Sequence, residues 1–156
     1  MTDPILAQLH PSPGRRVFAA SVLGLLGILL VWMAVSTPAD LGLRLFLGLA
    51  GFGALYVAQW LWRATSRGVE LTAQELRETG GAVIVTVDQM RAVERGPFAF
   101  KPSNGFLLRV SEKQPRAWAP GLWWRLGKSI GIGGVTHGHE GKAMAEAIQM
   151  LINTRD

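Results

Sequence analysis

No cysteine occurs among the 156 residues, which excludes disulfides, thiolate catalysis and zinc-thiolate sites and leaves the fold to rest on packing. Groups for acid–base chemistry are equally scarce. Glu75 and Glu78, the closest acidic pair, fall in a short charged hairpin where solvation is the default, and no general acid and base pair stands out. Only three histidines are present. His10 belongs to a Pro-flanked N-terminal stretch that reads as disordered, while His137 and His139 lack a third ligand in sequence and suit a polar loop before a helix. Gly127-Lys128-Ser129 imitates the end of a phosphate-binding loop, but the first glycine of that motif would fall on Leu122, and glycine-rich strand follows instead of helix. Gly131, Gly133 and Gly134 likewise lack the full dinucleotide fingerprint. The reading is therefore non-enzymatic, with no cofactor and no metal.

A strong charge bias is also missing. Sixteen Lys plus Arg face eleven Asp plus Glu, and from Arg63 onward the counts are thirteen and nine, an excess of four. A nucleic-acid domain shows a denser basic stripe, whereas a domain held against an anionic leaflet needs only a mild bias. Nucleic acid is thus not an expected partner.

What the chain has in abundance is apolar sequence in two runs, residues 17–36 and 41–62, separated only by Thr37-Pro38-Ala39-Asp40. A hydrocarbon core roughly 30 Å thick takes about 20 helical residues at about 1.5 Å each, and both runs suffice. The first run exceeds a signal-peptide core and is followed at once by the second, so a retained hairpin is expected over 17–62 rather than a cleaved leader. Residues 1–16 read as a flexible cytoplasmic tail. Arg15 and Arg16 precede the hairpin, Arg63 and Arg67 follow it and Asp40 sits in its turn, which directs both termini to the cytoplasm.

Several residues inside the hairpin invite a function. Arg44, one turn into the second span, either snorkels toward the outer headgroups or pairs with an acidic group on a partner, with Asp40 as the nearest internal candidate. Ala20 with Gly24, and Ala50 with Ala54 flanked by Gly48, Gly51 and Gly53, make small-residue faces that pack the hairpin together or dock another membrane protein. Trp32 lies near the outer boundary and Tyr56, Trp60 and Trp62 near the inner one, as an aromatic belt requires.

After Arg63 about 90 residues remain, enough for one small domain over 63–156. From Gly68 the periodicity alternates, with short strands expected at 69–72, 76–79, 82–86, 91–95, 106–110, 117–119 and 129–133. Turns fall at Gly80-Gly81, at Gly96-Pro97, at Pro102-Ser103-Asn104-Gly105, over Ser111 to Pro115 and at Pro120-Gly121. Ala143, Met144, Ala147, Ile148, Leu151 and Ile152 recur at helical spacing, which predicts an amphipathic closing helix from Glu140 to Asn153. The expected class is a membrane α-helical hairpin plus a small α+β domain: an antiparallel meander or partly open barrel of six or seven strands capped by that helix.

Gly68-Val69-Glu70-Leu71-Thr72 with Leu76, the strand Phe106 to Val110, and Ser129 to Val135 followed by the helix from Glu140 carry a likeness to something known. With two spans in front, the chain resembles small bacterial membrane proteins carrying a pleckstrin-homology-like domain. That resemblance implies a PH-like fold and a bacterial inner membrane, and it carries over no ligand residues.

Trp118, Trp123 and Trp124 stand beside Arg116, Arg125 and Lys128, half of the six tryptophans in seven positions. Tryptophan favours the headgroup boundary, and each basic residue near an anionic surface adds roughly 1 kcal/mol, so this cluster is the best membrane-interface or partner-binding candidate. The alternative is that the tryptophans close the end of the β core and the cations are solvated. Together these features suggest an inner-membrane accessory or assembly subunit that contacts the bilayer and a membrane-protein partner. The second reading is a tethered domain that binds anionic lipids.

Overall fold

The computed structural model describes residues 4–97 and 99–155. In chain order these form β1 (Ile5–Leu9), α1 (Pro13–Ser36), α2 (Leu41–Ala64), β2 (Val69–Thr72), β3 (Glu75–Glu78), β4 (Val83–Thr86), a 3-10 turn (Val87–Gln89), β5 (Met90–Glu94), β6 (Phe106–Ala119), β7 (Trp123–Ile132) and α3 (Gly138–Arg155).

Two helices long and apolar enough to cross a membrane dominate the first half. Each has 24 residues, with mean hydropathy 2.4 and 1.7 and only 6% of either window buried by protein. Pro13 opens α1, where its fixed φ is pre-set for helix and its missing N–H is no loss, and Thr37 ends it in the extended conformation that precedes Pro38. Asp40 then starts α2 by accepting a hydrogen bond from the Leu43 N–H at 3.2 Å. The helices meet where neither has a side chain. A Cβ on Gly27 would lie 2.9 Å from the Gly51 carbonyl oxygen, and one on Gly51 would lie 2.9 Å from that of Gly27.

The N-terminal residues differ from expectation. In place of a flexible tail, Ile5–Leu9 is a strand paired antiparallel with β2, with Leu9 opposite Val69 and Gln8 opposite Glu70. Leu9 is fully buried. The flanking prolines bound this strand rather than unfold it, and Gly68 admits it, since a Cβ there would sit 2.7 Å from the Leu9 carbonyl oxygen. The helical hairpin is therefore an insertion between two neighbouring strands of one sheet.

Among the described residues the strands form two antiparallel sheets, ordered β1-β2-β3-β4 and β5-β6-β7, and no closed barrel. The expected turn over Ser111 to Pro115 is absent: β6 runs unbroken from Phe106 to Ala119, and irregularities around Gln114 accommodate Pro115, which cannot donate to a regular ladder. Likewise β7 begins at Trp123 rather than Ser129, so the tryptophan-rich segment is the far end of one long β6–β7 hairpin.

Leu9, Leu71, Leu76, Ile84, Met90, Phe106, Leu108, Ile130 and Ile132 form the core with Met144, Ile148 and Ile152 of α3. That helix presents the apolar stripe expected of it, packs against β1 and β5, and runs slightly beyond both expected ends. At its last turn Arg155 donates to the carbonyls of Val87, Asp88 and Met90, all within 3.0 Å.

Candidate membrane-proximal site

The base of the hairpin and the β domain are fastened by specific contacts. Arg16 donates to the Trp62 carbonyl at 2.8 Å and its guanidinium carbon stands 3.9 Å from the centre of the Trp62 ring, which clamps the start of α1 to the end of α2. The β6–β7 turn seats on that end. Gly121, at φ +75°, approaches so closely that a Cβ would lie 2.8 Å from Leu61 Cδ1 and 3.1 Å from Thr65 Cγ2. Trp118 meets Trp60 of α2 edge to face, with ring centres 5.0 Å apart.

The six residues of the tryptophan–basic cluster divide into two groups. Trp123 is buried in the core and its indole N–H donates to Glu78 at 2.8 Å, linking β7 to β3 of the other sheet. Arg125 donates to the Pro115 carbonyl at 2.8 Å and to the Ile84 carbonyl at 2.7 Å, a second tie between the sheets. These two hold the fold together.

Trp118, Trp124, Arg116 and Lys128 face outward to different degrees. Trp118 is 52% exposed. Trp124 is half-buried because its indole lies across Gly131, where any Cβ would collide with the ring, and Phe100 packs beside it at 6.1 Å. Arg116 and Lys128 are exposed, and neither side chain has a hydrogen-bonding or ionic partner among the described residues.

An open groove of about 1010 Å³ runs along this outer face of the β5-β6-β7 sheet, lined by Phe100, Leu107, Arg109, Arg116, Trp118, Trp124, Leu126 and Ser129 among others. Arg109 is already engaged, donating to Glu94 at 2.9 Å and to the Ser129 hydroxyl at 2.7 Å. Reasoning from sequence missed Phe100, Leu107, Arg109 and Leu126. The alternation Phe106-Leu107-Leu108-Arg109-Val110 held a signal, since burying Phe106, Leu108 and Val110 turns Leu107 and Arg109 to the opposite face.

Elsewhere, Arg44 donates to the Thr37 carbonyl at 3.2 Å and so closes the turn of the hairpin, while Asp40 is occupied as a cap. Ala50 and Ala54 lie half-buried beside buried Gly51 on the helix seam. All three histidines converge where β1 leads into α1: the His10 N–H donates to Glu140, the His137 N–H donates to the His10 carbonyl at 3.4 Å, and the rings of His137 and His139 lie 5.6 Å apart. Among the described residues no group of three or more His, Cys, Asp or Glu is placed to hold a metal ion.

No family model matches the chain, and neither the curated proteins nor the solved structures compared with it give a match.

Proposed function

We propose that this protein is a non-enzymatic integral membrane accessory or assembly subunit of the bacterial inner membrane, binding a membrane-protein partner through its hairpin and a cytoplasmic PH-like domain. The observation that carries the reading is the insertion of α1 and α2 between the paired strands β1 and β2, which ties a small β domain to a hairpin at both of its ends. Such a domain is presented at a fixed place beside the membrane. Arg15, Arg16, Arg63 and Arg67 at the domain end, against Asp40 at the other, support a cytoplasmic position for that domain. A series of antiparallel strands followed by one packing helix supports the PH-like reading.

The hairpin also leaves room for a neighbour. A Cβ on Gly24 or on Gly53 would meet nothing within 4 Å, so a partner helix can approach either position closely without disturbing the α1–α2 seam. Native purification of the tagged chain in mild detergent, with mass spectrometry after size exclusion, tests this. A stoichiometric integral membrane protein should co-elute and be lost from the Gly24→Leu or Gly53→Leu variant. A chain that elutes alone from native membranes refutes it.

A further inference from the structure

We infer that the outer face of the β5-β6-β7 sheet rests on the anionic leaflet from which the hairpin emerges, setting Phe100, Trp118, Trp124 and Leu126 at the headgroup boundary and Arg116 against lipid phosphates. This goes beyond the proposed function, because it needs no second protein.

Continuity is the first argument. Tyr56 contacts Trp60 with ring centres 6.3 Å apart, and Trp60 contacts Trp118 at 5.0 Å, so the aromatic surface of α2 passes without a break onto the sheet. Beyond Trp118 the same face exposes Leu126 by 52% and Phe100 by 85%. Large apolar groups gathered on one exposed face need cover, and the surface they extend belongs to a helix apolar enough for lipid. The bilayer is the occupant already at its edge.

Charge supplies the second argument. Among the described residues Glu94 is the only carboxylate lining the groove and it is paired with Arg109, whereas Arg116, which also lines it, has no partner. The surplus is therefore cationic and available. Aromatic and aliphatic groups beside an unpaired cation match the boundary of an anionic leaflet, where tryptophan is enriched and basic side chains are attracted.

Because the chain has no cysteine, single labels are readily placed. Spin labels are attached to the full chain at Leu126→Cys in the groove, Met150→Cys on the exposed side of α3 and Phe46→Cys on the outward side of α2. Oxygen and nickel-chelate accessibility are then read in nanodiscs of phosphatidylcholine alone and of phosphatidylcholine with 30% phosphatidylglycerol. The expected result is a 126 label shielded from the chelate in the anionic discs, a 150 label open to water in both, and a 46 label in lipid in both. Replacing Arg116 by Gln should lower the docked-to-free ratio by roughly fivefold. A 126 label as water-accessible as the 150 label, with the 46 label still in lipid, overturns the inference while leaving the partner-binding reading intact. Shielding at 126 that ignores both phosphatidylglycerol and the Arg116→Gln variant also overturns it, assigning the face to an apolar or protein contact.

Discussion

Replacing Leu9 by alanine probes the most consequential feature of this fold, the strand that precedes the hairpin. Leu9 is fully buried among Val69, Leu71 and the other core residues, and β1 also meets α3, so truncation removes apolar contacts on two sides. Leucine-to-alanine changes at fully buried sites cost about 2–5 kcal/mol, the spread reflecting how far the cavity collapses. A domain of about 100 residues shifts its midpoint by about 4–8 °C for each kcal/mol, so a loss of at least roughly 8 °C is expected. Thermal unfolding of the full chain in mild detergent, followed by tryptophan fluorescence, reads this through buried Trp123. Ile5→Ala is the matched control: it lies at the start of the same strand but is 46% exposed, and should cost less than about 1 kcal/mol. Leu9→Ala behaving like Ile5→Ala would refute the pairing of β1 with β2, and with it the insertion of the hairpin into the sheet.

Three further outcomes follow from named contacts. Trp123→Phe keeps an aromatic ring but loses part of the buried indole together with the N–H that donates to Glu78, and should destabilise the β domain by about 1.5–3 kcal/mol, measured in the same melt. Arg125→Ala, which strips donors from the Pro115 and Ile84 carbonyls, should cost about 1–3 kcal/mol, whereas Arg116→Ala and Lys128→Ala should each stay within about 0.5 kcal/mol; equal effects would contradict the division between structural and outward-facing cations. Gly51→Ile drives a Cβ against the Gly27 carbonyl and should widen the hairpin, seen as a longer pulsed-EPR distance between labels at exposed Val22 and Tyr56.

The hairpin was legible because length and apolarity set it: two long apolar runs parted by a four-residue turn act locally, and the structure shows Pro38 and the Asp40 cap serving that same turn. The closing helix was legible for the same reason, its stripe of Met144, Ile148 and Ile152 being a matter of spacing. Failures came where pairing over long sequence distance overrides local signals. Ile5–Leu9 is too short and too Pro-flanked to read as a strand until β2 supplies its partner some sixty positions later. Ser111 to Pro115 has the composition of a turn, yet the β7 pairs Arg109–Ser129 and Gln114–Gly127 keep it within one continuous strand. The residues of the tryptophan–basic cluster could not be sorted from sequence, because neighbouring residues on a strand face opposite sides: Trp123 enters the core, Trp124 leaves it, and Arg125 turns back to bond across to β4.

The insertion has a mechanical consequence. Paired strands lie about 4.8 Å apart, while packed helix axes stand about 8–10 Å apart, so the chain must splay between Leu9 and Pro13 and converge again between Ala64 and Val69. Both short connections are fixed: the Ser12 N–H donates to the Val135 carbonyl at 2.6 Å, and the Thr65 hydroxyl donates to the Leu61 carbonyl at 2.6 Å in a buried position. The Arg16–Trp62 clamp and the seat of Gly121 on Leu61 brace the same junction. No free linker is left to absorb a change in the angle between α1 and α2. A force that reorients the helices must therefore reach the β1–β2 pair and, through the Gly121 turn and the Trp60–Trp118 contact, tilt the long β6–β7 hairpin as well.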